Sequence, residues 1–218
     1  MPIRAILFDL EGTIINSETL WFQAAGNILT ARAITKDPTL ESKMIGTSLE
    51  QTCALLKELH QLPDSLSELA RLLYAEFAIL HAQQVPFFPG FLHFFAQLRE
   101  HKLATAIGTN TPVRLVHQLK TSPSLESLFG SHIYTPESAN NNVKPAPDLY
   151  LMGAKNLGIN PTDCLVLEDS IPGVTAAKRA GMSCIRLATT IPTREILAGE
   201  DLVVPGYDAI SLQTLLAA

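Results

Sequence analysis

Five short apolar runs punctuate the chain: Ile3 to Phe8, Ala104 to Ile107, His132 to Tyr134, Cys164 to Leu167 and Ser183 to Leu187. Each ends in a polar or glycine-containing turn. Short runs of this kind, bounded by turn residues, predict strands buried on both faces. Between them, Phe91 to Glu100, Val113 to Lys120, Pro147 to Asn156 and Gly173 to Ala180 repeat their apolar residues at helical spacing. Strand and helix therefore alternate, which predicts an α/β fold built on a doubly wound parallel sheet. Pro89-Gly90 and the turn Ser170 to Gly173 suit helix starts, and Leu202 to Val204 reads as a last edge strand followed by a short helix.

The alternation stops between about Ser17 and Gln84, where the pattern is almost wholly helical and rich in leucine. This stretch is read as an inserted α-helical cap domain, residues 17–84. Residues 1–16 and 85–218 then form a Rossmann-like core, and Asn16 to Glu18 and Gln83 to Pro89 serve as two hinge strands between the units. A length of 218 residues accommodates both, since domains commonly run ~100–200 residues.

Composition narrows the class of partner. With 47% hydrophobic and 17% charged residues the chain is globular rather than disordered. A net charge of -5 without a basic stripe offers no seat for nucleic acid or an anionic membrane. No apolar run reaches the ~18 residues of a membrane span, and MPIRAILFDL reads as a strand rather than a signal peptide. The expectation is a cytoplasmic protein, monomeric by default, with a small-molecule partner. Cys53, Cys164 and Cys184 lack paired spacing and are expected to be reduced core residues. The six histidines, His60, His81, His93, His101, His117 and His132, lack metal-ligand spacing and are assigned no chemistry. Phe87, Phe88, Phe91, Phe94 and Phe95 are read as packing.

Ligands of open parallel sheets bind beyond the carboxyl ends of the strands. The residues there are Asp9, Leu10, Glu11, Gly12 and Thr13 after the first run, Gly108, Thr109 and Asn110 after the second, and Glu168, Asp169 and Ser170 after the fourth; Lys144 precedes Pro145 in a loop. Four carboxylates at one edge repel each other unless a divalent cation lies among them, and hard oxygen donors suit Mg²⁺. With Lys144, the Thr109 hydroxyl and the backbone N–H groups of the Gly12 turn, the set makes a pocket for a phosphoryl group.

FDLEGTIINSE, AIGTNTP, VKPAPDLY and VLEDSIPGV resemble, in order, the four motifs of the haloacid dehalogenase-like (HAD) superfamily. The helical insert after the first motif resembles the cap of the group that holds β-phosphoglucomutase and phosphoglycolate phosphatase. The resemblance implies a Mg²⁺-dependent phosphatase acting on a small phosphorylated metabolite. Asp9 would be the nucleophile that forms an aspartyl-phosphate, and Glu11 the general acid and base whose backbone carbonyl helps to hold the metal. Thr109 and Lys144 would bind phosphate oxygens, with Asn110 a further candidate. Asp169 would ligate the metal, with Glu168 in its first or second shell.

Two departures bear on activity. Glu11 stands where most such relatives carry Asp, which displaces the acid by ~1.5 Å, although the enolase-phosphatase branch also carries DxEGT. Trp21 stands where β-phosphoglucomutase-like mutases carry His, which favours hydrolysis over mutase chemistry, or it simply packs in the cap. A catalytically impaired binding or regulatory protein and a phosphomutase are the alternatives; a carbon-halide hydrolase would have no phosphate charge for the metal-binding carboxylates to neutralise.

Overall fold

The computed structural model describes residues 2–44, 47, 49–83, 85–189 and 195–217. Strands β1 (Ala5–Phe8), β2 (Ala104–Gly108), β3 (Ile133–Tyr134), β4 (Cys164–Glu168), β5 (Ser183–Leu187) and β6 (Leu202–Val204) form one sheet in the order β3-β2-β1-β4-β5-β6. Every pairing is parallel. The chain winds outward from β1 in both directions, so the reversal of strand order falls beside β1, where a ligand crevice is expected.

Both faces of β1 are covered, which is why its sequence does not alternate. Ile6 and Phe8 join a cluster on one side, and Ala5 and Leu7 join another on the opposite side. Phe8 meets Phe91 edge-on at 5.9 Å and Phe129 at 5.8 Å, an arrangement aromatic rings favour. Phe91 opens α5 (Phe91–Glu100), and Phe129 ends α7 (Leu125–Phe129). On the other face α8 (Asp148–Leu157) approaches closely at Gly153, where a Cβ would strike the Leu7 side chain. A fourth helix against the sheet is α9 (Ile171–Arg179), whose first turn is capped by Ser170 Oγ accepting from Gly173 N–H at 3.1 Å. The last edge strand is present as expected, and a short terminal helix, Leu212–Ala217, follows it.

The stretch expected to be helical is so among the described residues. It comprises α1 (Glu18–Thr30), α2 (Leu40–Met44), α3 (Leu49–His60) and α4 (Leu66–His81). Leu20, Ala24 and Ile28 on α1 and Leu69, Leu73 and Phe77 on α4 bury one stripe each at i, i+4 spacing, and the two helices pack as a pair. Two chain segments join these helices to the sheet. Ile15 and Phe87 form an antiparallel bridge, Asn16 N–H donates to Pro86 O at 3.0 Å, and Phe88 N–H donates to Ile14 O at 2.9 Å. The paired residues are thus 14–16 and 86–88; the expected border at Gln84 lies outside the described residues. No described helix is long and apolar enough to cross a membrane.

Candidate active site

The parallel register brings the polar ends of three strands together. Phe8 is level with Ile107 of β2 and Leu167 of β4, so the next residues, Asp9, Gly108 and Glu168, share one rim. The ladder continues beyond the strands, Asp9 N–H donating to Leu167 O at 3.0 Å and Thr109 N–H to Tyr134 O at 3.0 Å. Asp9 and Thr109 are therefore held by sheet hydrogen bonds rather than by loop conformation.

Lys144 reaches into this rim from the loop before α8. Its buried ammonium donates to Asp9 Oδ1 at 2.5 Å and Glu168 Oε1 at 2.7 Å, and lies 4.7 Å from the centre of the Tyr150 ring. Asn110 holds the loop: its Oδ1 accepts from Lys144 N–H at 2.8 Å and its Nδ2 donates to Lys144 O at 3.3 Å. Glu168 has little acceptor capacity left. Its Oε1 also accepts from Tyr150 O–H at 3.0 Å, and its Oε2 accepts from Asp169 N–H, Ser170 N–H and the Ser170 hydroxyl at 2.8–3.0 Å.

The electrostatics follow from burial. Taking Asp9 out of water penalises its charge and outweighs the pull of Lys144; Glu168 adds repulsion, and the carboxyl is pushed up to about 7. Burial also works against ionised Glu168, but there the Lys144 charge and the donated hydrogen bonds win and hold it below its ordinary value. Burial likewise works against charged Lys144, and the two carboxylates reverse that, raising it. One cation thus serves two buried anions, with Asp169 as a third acid beside them. Asp9, Glu168 and Asp169 each offer an oxygen within 4.8 Å of the others, an all-oxygen set suited to a hard divalent ion. Asp9, whose ionisation is penalised most, gains most from such an ion.

The turn after Asp9 is shaped for closeness. Gly12 has φ +82°, and a Cβ there would run into the Asp169 carboxylate. Thr13 donates to Asp169 Oδ1 at 3.3 Å, the Thr189 hydroxyl to Gly12 O at 2.6 Å, and Tyr207 O–H to Thr13 O at 3.0 Å. Glu11 points away from this group toward the helical layer. Its Oε1 lies 3.0 Å from Nε2 of His81, and Thr111 O–H donates to it at 3.4 Å. His81, one of the histidines assigned no chemistry, is fully buried at the end of α4 against this carboxylate. Nothing in its spacing marks it; the contact joins the end of α4 to the turn after β1.

Thus Asp9, Thr109, Lys144, Glu168 and Asp169 come together, Glu11 borders them, and Asn110 acts on the backbone of Lys144. Trp21 packs on the cap helix pair, its ring stacked 3.9 Å from that of Phe77. The three cysteines are free and buried.

A family model described as haloacid dehalogenase-like hydrolase matches residues 6–187. The chain belongs to the haloacid dehalogenase-like hydrolases. It is 32% identical over 184 residues to a probable pseudouridine-5'-phosphatase of Drosophila melanogaster, covering 82% of this chain and 79% of that protein. It is 30% identical over 226 residues to Protein SUPPRESSOR OF QUENCHING 1, chloroplastic, of Arabidopsis thaliana; there 98% of this chain spans about a fifth, 21%, of the relative. Among solved structures, a HAD family hydrolase from Deinococcus radiodurans R1 with bound phosphate and sodium superposes with a TM-score of 0.75 at 28% identity, covering 95% of this chain and 93% of that one. This hydrolase therefore carries the four expected motifs on the family's parallel sheet, with their acidic residues gathered at one rim.

Proposed function

We propose that the protein is a Mg²⁺-dependent phosphatase that hydrolyses a small phosphomonoester through an aspartyl-phosphate on Asp9. The observation that carries this reading is the convergence of Lys144, Asp9, Glu168 and Asp169 at the strand ends. Phosphoryl transfer asks for positioning and charge stabilisation more than for covalent machinery, and a buried cation beside a carboxylate nucleophile supplies both. The phosphate held by the Deinococcus structure and the phosphatase activity named for the Drosophila relative agree with it.

Asp9, Asp169 and the backbone carbonyl of Glu11 would hold Mg²⁺, which when bound offsets the charge of the carboxylates and of the phosphate. Asp9 attacks phosphorus, and the bond to the leaving oxygen breaks. Glu11 gives its proton to that oxygen, then takes one from the water that cleaves the aspartyl-phosphate, regenerating Asp9 and releasing phosphate. Lys144 and the Thr109 hydroxyl bind the phosphate oxygens. Glu168, its oxygens already engaged, orients Lys144, and Asn110 fixes the loop that presents it. Residues 17–84 act as a cap that excludes water while Asp9 is phosphorylated.

A mutase would need a proton carrier where Trp21 stands, and an indole stacked on Phe77 does not supply one. The test is phosphate release from a panel of sugar phosphates, nucleotides and p-nitrophenyl phosphate with and without Mg²⁺, beside Asp9→Asn. Metal-dependent release by the native protein and none by the variant is expected; equal release by both would remove Asp9 from the mechanism.

A further inference from the structure

The carboxylate of Glu11 is gripped by one oxygen. Its Oε1 lies 3.0 Å from Nε2 of His81 and accepts from the Thr111 hydroxyl at 3.4 Å. Its Oε2 is buried and meets no hydrogen-bond partner among the described residues. The first contact comes from the end of α4 in the helical layer and the second from the turn after β2, so both layers of the molecule hold the same atom. His81 is itself fixed. Its side chain has no solvent exposure, its ring centre lies 5.1 Å from that of Phe77, and Phe77 is stacked at 3.9 Å on Trp21 of α1. Trp21, Phe77, His81 and Glu11 thus form a packed column from α1 to the turn after β1. A glutamate has one more free torsion than an aspartate, so an unheld carboxylate at its end spreads over more positions. A shift of ~1 Å is enough to cost about 100-fold in rate.

From this column, and resting on the phosphatase reading above, we propose that His81 is the positioning residue of the proton-transfer step. Its Nε2–H donates to Oε1, so Oε1 stays an acceptor throughout and the proton travels on Oε2. As the bond from phosphorus to the leaving oxygen breaks, the Oε2–H bond breaks and the proton goes to that oxygen. When water then attacks the aspartyl-phosphate, its oxygen bonds to phosphorus, the bond to Asp9 breaks, and a proton of the water passes to Oε2. His81 gives up no proton and acts through Glu11.

Phenyl phosphate and p-nitrophenyl phosphate separate this role from a structural one. Their leaving groups are similar in size, but phenoxide is the more basic and depends more on a donated proton. The ratio kcat/KM covers the steps through release of the phenol. His81→Leu is expected to lose at least ~tenfold more kcat/KM on phenyl phosphate than on p-nitrophenyl phosphate. His81→Gln, whose amide N–H reaches about as far as the imidazole Nε2–H, is expected to restore most of that difference. Should His81→Leu not fold, His81→Asn, with its donor drawn back by ~1.5 Å, takes its place in the same comparison. Equal losses on the two esters, as a misfolded fraction produces, would overturn the proposal, and so would a His81→Gln protein no better than His81→Leu. The two levels fail separately. Release by the native protein that depends on Asp9 and Mg²⁺ sustains the phosphatase reading even where the His81 variants refute the positioning role, and no release from either ester would overturn both.

Discussion

Shortening Glu11 to Asp would make this chain more like the family pattern, yet the structure predicts that it harms the protein. Glu11 Oε1 lies 3.0 Å from Nε2 of His81, a side chain with no solvent exposure whose Nδ1 has no partner among the described residues. Removing one methylene withdraws the carboxylate by ~1.5 Å, stretching that contact to about 4.5 Å, well beyond a hydrogen bond. His81 then keeps no hydrogen bond to a described residue at either nitrogen, and an unsatisfied buried polar group costs about 1–3 kcal/mol. For a chain of this length each kcal/mol is ~2–4 °C in Tm. Glu11→Asp is therefore expected to melt about 2–12 °C below the native protein, and to lose about 100-fold in kcat because a misplacement of ~1 Å is enough for that. Differential scanning calorimetry and steady-state kinetics on p-nitrophenyl phosphate measure the two effects. A double-mutant cycle with His81→Leu adds the decisive comparison: once His81 is gone the stability cost of Glu11→Asp should vanish, leaving a coupling of about 1–3 kcal/mol. An undiminished Tm together with a rise in kcat would refute the reasoning, because it would mean that the extra methylene is a defect and the His81 contact carries no weight.

Two further expectations concern buried charge. Lys144→Met leaves Asp9 and Glu168 facing each other without a cation, and breaking a buried pair by removing one partner costs about 3–5 kcal/mol; urea denaturation should show that loss, and an unchanged midpoint would contradict the burial described for the three groups. The second concerns Glu200, which accepts from Arg186 Nε at 2.7 Å with both side chains fully buried. Burial alone would raise its carboxyl, but the bonds from Arg186 and from the N–H groups of Ala198 and Leu197 hold it at about 2. A depressed carboxyl contributes stability that is complete above the ordinary value of 4.5 and is lost as pH falls toward 2, here about 3 kcal/mol. The drop in unfolding free energy between pH 6 and pH 3 should shrink in Glu200→Gln; an identical drop would show that the pair does not govern acid sensitivity.

The rim of the sheet was legible because it follows from patterns a few residues long. An apolar run buried on both faces announces a parallel strand, parallel strands carry their ligands at one end, and so the polar residues after each run could be assembled before any contact was visible. Asp9, Thr109, Glu168 and Asp169 owe their places to register alone, Phe8 lying level with both Ile107 and Leu167. Lys144 is legible by motif rather than by physics, since a lysine before a proline is ordinarily a surface residue; what makes it part of the site is the Asn110 amide that clasps its backbone on both sides.

His81 marks where reading along the chain stops. It occupies a helix position with ordinary spacing, seventy residues from the carboxylate it meets. The contact joins the end of α4 to the turn after β1, and α4 is held in turn by the stripe it buries against α1. Tyr150, Thr189 and Tyr207 are of the same kind, since each reaches the site by a hydrogen bond from a distant element. The departure that sequence does display, Glu in place of Asp, changes meaning once that geometry is known. An acid one methylene longer spans the gap to a histidine that the cap provides, so its length and the fold of the cap form one constraint. The helical layer thereby holds the carboxylate of Glu11 in place through His81. Substitutions along the α1–α4 seam, such as at Phe77, which lies 5.1 Å from the His81 ring, should therefore reach the proton-transfer step without touching substrate.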